Sequence, residues 1–444
     1  MSARPGLPEG PWLVVGLARS GVAAAVALRE RGEQVIGVDA GAPEEMRALT
    51  EAGVELHLNR DGMALLEKVR AVVKSPGVPA QAPAIEAARA RGLPVLGELE
   101  LGWRLLPNEF VAVTGTNGKT TTVELIGHIH REAGFPVAVA GNVGAAVSGL
   151  VGKVDEQATI VCEASSFQLE DTLAFAPEAA VLLNITPDHL DRHGTFDAYR
   201  AAKLEIFARQ GNEDIAVAPI GLDVEDEIPP IPGCARRVCF GEGPGAALSL
   251  SVGELWWEER ALLRVDELRL PGRHNAQNAM AAGAVCLARG IEIDAVRAGL
   301  RSFTGVRHRL EEVALREGVK WVNDSKATNV ASTLVALDAF EAGTIHLILG
   351  GQGKDQDFAA LREPVEERCK AVYLIGEDAP QIATALDGVL ALVHECGELE
   401  RAVNAARAAS ASGDVVLLSP ACASFDQFAD FEARGERFRE LVGG

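Results

Sequence analysis

The run Val111-Ala112-Val113-Thr114-Gly115-Thr116-Asn117-Gly118-Lys119-Thr120-Thr121-Thr122 has residue types and spacing suited to holding phosphate. An apolar stretch leads into a glycine turn, then Lys-Thr, then a helical pattern. Gly115 and Gly118 let backbone N–H groups converge on phosphate oxygens, and the helix N-terminus adds partial positive charge. Lys119 can neutralise β- and γ-phosphates, and the Thr120 hydroxyl can ligate Mg²⁺. The form is Gly-x-x-Gly-Lys-Thr. The longer P-loop would need glycine at 113, where Val113 stands. The bland alternative is a glycine turn with an exposed lysine, but strand, turn and helix fall in the order phosphate binding requires. Two classes remain, a phosphoryl-transfer enzyme and a nucleotide switch. A guanine switch would carry Asn-Lys-x-Asp, and the sequence has no Asn-Lys pair.

Further groups follow the next strands. Glu163 ends the apolar run Thr159-Ile160-Val161-Cys162. A carboxylate at the C-terminal end of a parallel strand can hold nucleotide-bound Mg²⁺. Asn184-Ile185-Thr186-Pro187-Asp188-His189 follows another strand, and His189 with its carboxylate neighbours could serve a second metal. Lys203 lies on the helical segment Tyr199-Arg200-Ala201-Ala202-Lys203. Read singly, Glu163 could cap a helix, His189 could be structural and Lys203 could be solvated.

These groups need elements to position them. Strand-helix alternation with short buried strands predicts parallel sheets. In the first stretch Trp12–Gly16, Gln34–Asp39, Ala71–Gly77 and Pro94–Leu96 read as strands, with a helix from Gly21 to Arg31. In the second, Val111–Gly115, Ala158–Cys162 and Ala180–Asn184 read as strands. Helices are expected at Phe196–Arg209 and Asn275–Gly290, and Pro219–Gly245 as loops or short strands. In the third, Lys320–Asp324, Ile345–Leu349, Ala371–Ile375 and Val415–Leu418 are strand-like. The expected fold class is α/β in three domains. An N-terminal Rossmann-like domain spans 1–105, a central P-loop-type, mostly parallel sheet domain 106–305, and a C-terminal Rossmann-like domain 306–444.

Composition narrows the classes. A chain of 444 residues exceeds one ordinary core. A net charge of −21 without a long basic block argues against a nucleic-acid partner. Anionic nucleotides would then need metal ions, local lysines and helix N-termini to overcome the overall field. Seven scattered cysteines with no Cys-x-x-Cys pair suggest reduced thiols. Met1 to Gly10 is polar and rich in Pro and Gly, so no signal peptide is expected. No apolar run approaches the ~20 residues a membrane span needs. A cytoplasmic protein with no membrane partner is expected. Gly16-Leu17-Ala18-Arg19-Ser20-Gly21 departs from a dinucleotide fingerprint at Ala18, which weakens a redox reading even with Asp39 downstream.

Taken together, several blocks resemble the Mur ligase family. They are Thr-Gly-Thr-Asn-Gly-Lys-Thr-Thr from Thr114, Glu163-Ala-Ser-Ser-Phe-Gln-Leu, Asp188-His-Leu-Asp-Arg-His, Tyr199-Arg-Ala-Ala-Lys, Gly272-Arg-His-Asn-Ala-Gln-Asn and Gly305-Val-Arg-His-Arg. Three C-terminal blocks resemble the branch that adds D-glutamate: Asn323-Asp-Ser-Lys-Ala-Thr-Asn, Gly350-Gly-Gln-Gly-Lys and Leu418-Ser-Pro-Ala-Cys-Ala-Ser-Phe-Asp-Gln-Phe. The similarity runs in order along almost the whole chain. Asp-Asn-Pro-Arg, typical of the diaminopimelate-adding branch, is absent.

The resemblance implies an ATP-dependent, ADP-forming amide ligase of cytoplasmic peptidoglycan precursor synthesis, joining D-glutamate to UDP-N-acetylmuramoyl-L-alanine. The first domain would hold the uridine nucleotide, the second ATP and the third the amino acid. Gly115, Thr116, Asn117, Gly118, Lys119, Thr120, Thr121, Thr122, Asn275, Arg309 and Asp324 match ATP-contacting positions. Arg19, Ser20, Asn142, Ser165 and His189 match positions for the UDP-substrate. Lys326, Thr328, Lys354, Ser424 and Phe431 match the D-glutamate pocket or its rim. Thr120, Glu163, His189 and Lys203 match ligands of two Mg²⁺ ions, with Lys203 carbamylated. Lys119, His189, Lys203 and Lys326 would carry the catalysis. The γ-phosphate would pass to the L-alanine carboxylate, and the amine of D-glutamate would attack the acyl-phosphate. Domain closure and a monomer are expected. Another Mur-type or folylpolyglutamate-type ligase, or a non-catalytic binding protein on this scaffold, are the rival readings.

Overall fold

Trp12, Leu13, Val14 and Val15 are buried along their whole length, as a central strand covered on both faces must be. The computed structural model describes residues 4–41, 46–142, 144–221, 231–270, 272–353 and 356–443. In it β1 (Trp12–Val15), β2 (Val35–Asp39), β3 (Glu55–Leu58), β4 (Ala71–Lys74) and β5 (Val95–Gly97) form a parallel sheet ordered β3-β2-β1-β4-β5. The chain reverses its direction of travel across the sheet beside β1, which opens a crevice at the C-terminal ends of β1 and β4. Helix Arg19–Glu30 buries Val22, Ala24, Ala25 and Leu28 against this sheet.

The second sheet comprises β6 (Phe110–Thr114), β7 (Val137–Gly141), β8 (Thr159–Glu163), β9 (Ala179–Leu182), β10 (Ile215–Pro219), β11 (Arg236–Gly241), β12 (Leu248–Ser251), β13 (Glu254–Trp257) and β14 (Arg260–Arg264). Its order is β14-β13-β12-β11-β10-β9-β6-β8-β7. It is parallel from β7 to β12 and ends in antiparallel β12-β13-β14. β6 lies between β8 and β9, so the loop leaving it is flanked by the ends of both.

The third sheet is built from β15 (Glu311–Arg316), β16 (Val319–Asn323), β17 (Ile345–Gly350), β18 (Cys369–Ile375), β19 (Leu392–Gly397) and β20 (Val415–Leu418). The order is β15-β16-β20-β17-β18-β19, parallel except for β15. β19 closes one end of this sheet, with Leu392 and Val393 on it and Leu390 just before it exposed.

The fold is thus α/β, with three sheets that are mostly parallel. The chain packs as two compact units. One is Met1–Leu268 with His274–Phe303, and the other is Arg269–Arg273 with Thr304–Gly444. Within the first unit, helix Glu98–Leu105 leads from the first sheet to the second and carries two buried carboxylates. Glu100 accepts N–H bonds from Leu173, Ala174 and Phe175 and pairs with Arg104. Glu98 accepts from the Ser148 N–H and hydroxyl at 2.7 and 2.6 Å, and burial raises its pKa.

The sequence expectation missed several half-buried strands, and also β10, which is buried over Ile215–Ala218. β13, β15 and β19 lack a continuous apolar run and β19 is exposed over most of its length, while β7 is apolar throughout but only partly buried over Val137–Val139. The helix expected over Phe196–Arg209 ends at Leu204. Beyond it the chain tightens into i→i+3 bonds, which place both Ile206 and Phe207 in the core. The stretch expected as loops or short strands contains the short strand β11, and residues 222–230 lie outside the described ones. Among the described residues no helix is long and apolar enough to cross a membrane.

Candidate active site

The phosphate-type loop joins β6 to helix Lys119–Glu132. Gly118, the residue before the helix, has φ +84, a left-handed conformation that glycine adopts without strain. Asn184, just past the end of β9, clamps the loop. Its Oδ1 accepts from the N–H groups of Thr116 and Asn117 at 3.1 and 2.9 Å, and its Nδ2 donates to the Asn117 carbonyl at 3.2 Å. The Thr116 hydroxyl lies 3.1 Å from the Tyr199 hydroxyl and donates to the Thr186 carbonyl. Asn275 lies near the loop through Asn278, which donates to Asn275 Oδ1 at 3.4 Å and whose own Oδ1 abuts Gly118. Thr121 is buried, and Thr122 is fully buried with its N–H committed to the Gly118 carbonyl.

Glu163 ends β8 beside this loop and is buried. The Thr120 hydroxyl donates to its Oε2 at 2.7 Å, and Asn142 Nδ2 donates to its Oε1 at 2.9 Å. Asn142 also donates its N–H to the Glu163 carbonyl at 2.9 Å. The backbones approach closely here. Gly141 has φ +118, and a Cβ on it would overlap the Glu163 carbonyl.

Two lysines turn toward the same loop. Lys119 Nζ donates to the Gly115 and Thr116 carbonyls at 2.8 Å each. Lys203 Nζ donates to the Gly115 carbonyl at 2.7 Å and lies 4.5 Å from the Tyr199 ring centroid. Burial, and next the charge of Lys119, pull the Lys203 pKa down to about 6. Burial pushes the Tyr199 hydroxyl up to about 12.

His189 is half-exposed and has φ +51 and ψ +34, uncommon for a residue other than glycine. It precedes the short helix Leu190–His193. Its ring packs 4.9 Å from that of Phe167, which also carries the Arg192 guanidinium at 4.0 Å and the stacked ring of His193 at 5.3 Å. Ser165 forms a reciprocal capping box with Gln168 at the start of helix Ser166–Leu169. On the first sheet, Arg19 and Ser20 open helix Arg19–Glu30, and Arg19 reaches the Gly144 carbonyl at 3.5 Å. Both carboxylate oxygens of Asp39 accept backbone N–H bonds, from Leu17 at 2.6 Å and Gly41 at 2.8 Å.

In the second unit Asp324 follows β16 and is buried. Its Oδ2 accepts from the Ser419 hydroxyl at 2.7 Å and its Oδ1 from the Leu310 N–H at 3.2 Å. Burial pushes its pKa up to about 7, against the nearby charges of Arg309 and Lys326. Lys326 Nζ lies 5.8 Å from the Phe431 ring centroid, and its carbonyl accepts the Thr328 N–H. Ser424 is buried in the loop after β20. Arg434, one turn into helix Phe431–Gly443, ties these loops together. It donates to the Ser325 hydroxyl and carbonyl at 2.9 and 2.8 Å and to the Cys422 carbonyl at 3.0 Å. Lys354 lies outside the described residues.

Three family models match the chain: a Mur ligase MurD-like N-terminal domain over residues 11–97, a Mur ligase middle domain over 113–286, and a Mur ligase glutamate ligase domain over 308–422. A UDP-N-acetylmuramoylalanine--D-glutamate ligase from Acidobacterium capsulatum is 43% identical over 97% of this chain and 95% of its own. One of the same name from Anaeromyxobacter dehalogenans is 44% identical over 99% of both.

This chain belongs to the Mur ligase family.

Solved Mur ligase structures share the fold at low identity. UDP-N-acetylmuramate-alanine ligase from Thermotoga maritima aligns with a TM-score of 0.62 at 19% identity, covering 98% of this chain and 99% of its own. MurF from Thermotoga maritima, solved in complex with ADP, aligns at 0.59 and 17%, covering 92% and 94%.

The donor set of this Mur ligase suits nucleotide-bound Mg²⁺. Thr120 and Glu163 place two hard oxygens side by side beside the loop. Among the described residues no three His, Cys, Asp or Glu groups gather as a metal cage. Few protein ligands are what a cation needs when phosphates and water complete its shell. Sequence reasoning did not single out Asn184 or Arg434. Asn184 had a signal, since it stands just past a strand neighbouring β6. Arg434 had none, because its partners lie 11 to 109 residues away.

Proposed function

We propose that this Mur ligase adds D-glutamate to UDP-N-acetylmuramoyl-L-alanine at the expense of ATP, as a cytoplasmic monomer. The observation that carries the reading is the convergence of Lys119, Lys203 and the Thr120–Glu163–Asn142 set on one loop. The whole-length similarity to relatives named for this reaction supplies the substrates.

A carboxylate resists attack by an amine, so it must first be activated. Transfer of the γ-phosphate to the L-alanine carboxylate releases ADP and makes an acyl-phosphate. The amine of D-glutamate then attacks its carbonyl carbon, a tetrahedral intermediate forms, and inorganic phosphate leaves. Lys119 exchanges its loop carbonyls for phosphate oxygens, and the N-terminal amides of helix Lys119–Glu132 face the same charge. Thr120 and Glu163 would hold one Mg²⁺, and His189 with Lys203 a second. Bound Mg²⁺ offsets the negative charge that develops on the transferred group.

Lys203 can ligate a hard cation only as an oxygen donor. Its neutral amine adds CO₂, forming an N–C bond and releasing a proton to solvent, and the carbamate supplies the oxygens. Asn142 and Ser165, with Arg19 and Ser20 on the first sheet, would orient the UDP-substrate. Asn275, Arg309 and Asp324 would contact ATP. Lys326, Thr328, Lys354, Ser424 and Phe431 would recognise D-glutamate, whose two carboxylates call for cations and hydroxyls.

The test is phosphate release with ATP and UDP-N-acetylmuramoyl-L-alanine, offering D-glutamate, L-glutamate, glycine and diaminopimelate in turn. Release with D-glutamate alone is expected. Preference for another acceptor, or full ligation by Lys119→Ala, would overturn the reading.

A further inference from the structure

Lys74, the last residue of β4, is fully buried where the two sheets of the first unit meet. Its amine pairs with the Asp171 carboxylate and lies 3.7 Å from Glu170. Arg89 reaches Asp171 at 3.5 Å. Both acids follow helix Ser166–Leu169 of the second sheet. Glu170 Oε1 also accepts from Arg192 at 2.8 Å, and His193 lies 3.9 Å from its other oxygen. Arg192 donates as well to the Val78 carbonyl at 3.3 Å. Val78 belongs to the loop that leaves β4 directly after Lys74, beside the crevice of the first sheet. One chain of charges therefore touches that loop at both ends, through Lys74 at its root and Arg192 at Val78.

The same chain reaches the turn that bears His189. Arg192 and His193 sit in the helix that starts directly after His189 and both pack on Phe167, against which the His189 ring also packs. His189 holds a left-handed backbone, which persists only where its surroundings over-determine it. The Lys74–Asp171 pair is excluded from water and the Arg192–Glu170 pair largely so, and such pairs are sensitive to geometry, so a shift of loop 75–78 is transmitted rather than absorbed.

We propose that Lys74, Glu170 and Arg192 are positioning residues that couple loop 75–78 of the first sheet to the His189 turn, so that filling the sugar-nucleotide site sets the geometry of that turn. This rests on the ligase reading above. The test is hydrogen exchange on the full chain with and without UDP-N-acetylmuramoyl-L-alanine, alongside steady-state kinetics. In the unaltered chain the substrate should slow exchange about fivefold at both 75–78 and 186–193. In Arg192→Ala the protection at 75–78 should persist while that at 186–193 is lost. Its kcat should fall about tenfold with the KM for ATP within about twofold. Arg192→Lys should recover part of both, and Arg47→Ala, on an exposed helix, should change neither. Lys74→Met should repeat the pattern.

Substrate-dependent protection at 186–193 that survives in Arg192→Ala would overturn the coupling. So would a uniform rise in exchange across the whole unit, the mark of a merely structural role. An unaltered chain in which the substrate protects neither segment would instead overturn the ligase reading itself.

Discussion

Lys119 and Lys203 share one acceptor, the Gly115 carbonyl, at 2.8 and 2.7 Å. Burial first, and the neighbouring charge of Lys119 second, disfavour a charged Lys203 there and lower its pKa to about 6. Above that pH it is a neutral amine, able to add CO₂. Activity should therefore depend on dissolved bicarbonate and fall as pH drops through about 6. Lys203→Met should lose roughly 100-fold or more of its turnover and all bicarbonate dependence. Carbon-13 labelled bicarbonate followed by NMR would report the carbamate directly. The stability sign is also fixed. Between about 6 and the ordinary lysine value the unfolded chain binds the extra proton, so stability rises with pH there. Denaturant melts of Lys203→Met should show a flatter pH profile across that window.

Glu163 is held by Thr120 on one oxygen and Asn142 on the other. Glu163→Gln keeps the shape but removes the charge and turns one acceptor into a donor facing Thr120 or Asn142. Titrating Mg²⁺ at fixed ATP should show the half-saturating concentration raised roughly tenfold or more. Unchanged metal dependence would remove Glu163 from the cation site.

Gly118 and Gly134 separate backbone strain from crowding. Both have left-handed φ, +84 and +76, but only Gly118 has a neighbour, Asn278, where a Cβ would go. Each Ala substitution should cost about 1–2 kcal/mol of stability from the backbone alone. Gly118→Ala should in addition weaken ATP binding by calorimetry, while Gly134→Ala leaves it unaltered.

Asp324 predicts a slope of the opposite sign to that of Lys203. Its folded pKa of about 7 lies above the ordinary aspartate value. Its contribution is therefore fully present in acid and declines as pH rises toward 7, by a few kcal/mol at most. Unfolding of Asp324→Asn between pH 4 and 7 should lack this decline. A profile matching the unaltered chain would show that the carboxyl ionises normally.

Sequence reading reached what is local. The strand-loop-helix around Lys119 and the acid closing β8 follow from apolar runs broken by glycine and charge, and both stand where expected. Parallel pairing then brings Glu163 to Thr120 without further information. Contacts made across the fold were not legible. Lys74 and Asp171 are 97 residues apart, and nothing in Val72-Val73-Lys74-Ser75 marks the lysine as buried. The left-handed turn at His189 was equally hidden, because histidine carries no preference strong enough to announce it. Half-exposed strands such as β15 and β19 escaped because their residues alternate too weakly to give a period of two.

The exposed leucines at 390 and 392 have a practical corollary. An open ladder with oily side chains is a template on which a neighbouring molecule can stack its own edge. Concentrated preparations should thus tend to self-associate through that margin, and a lysine in place of Leu392 should keep them dispersed without touching catalysis.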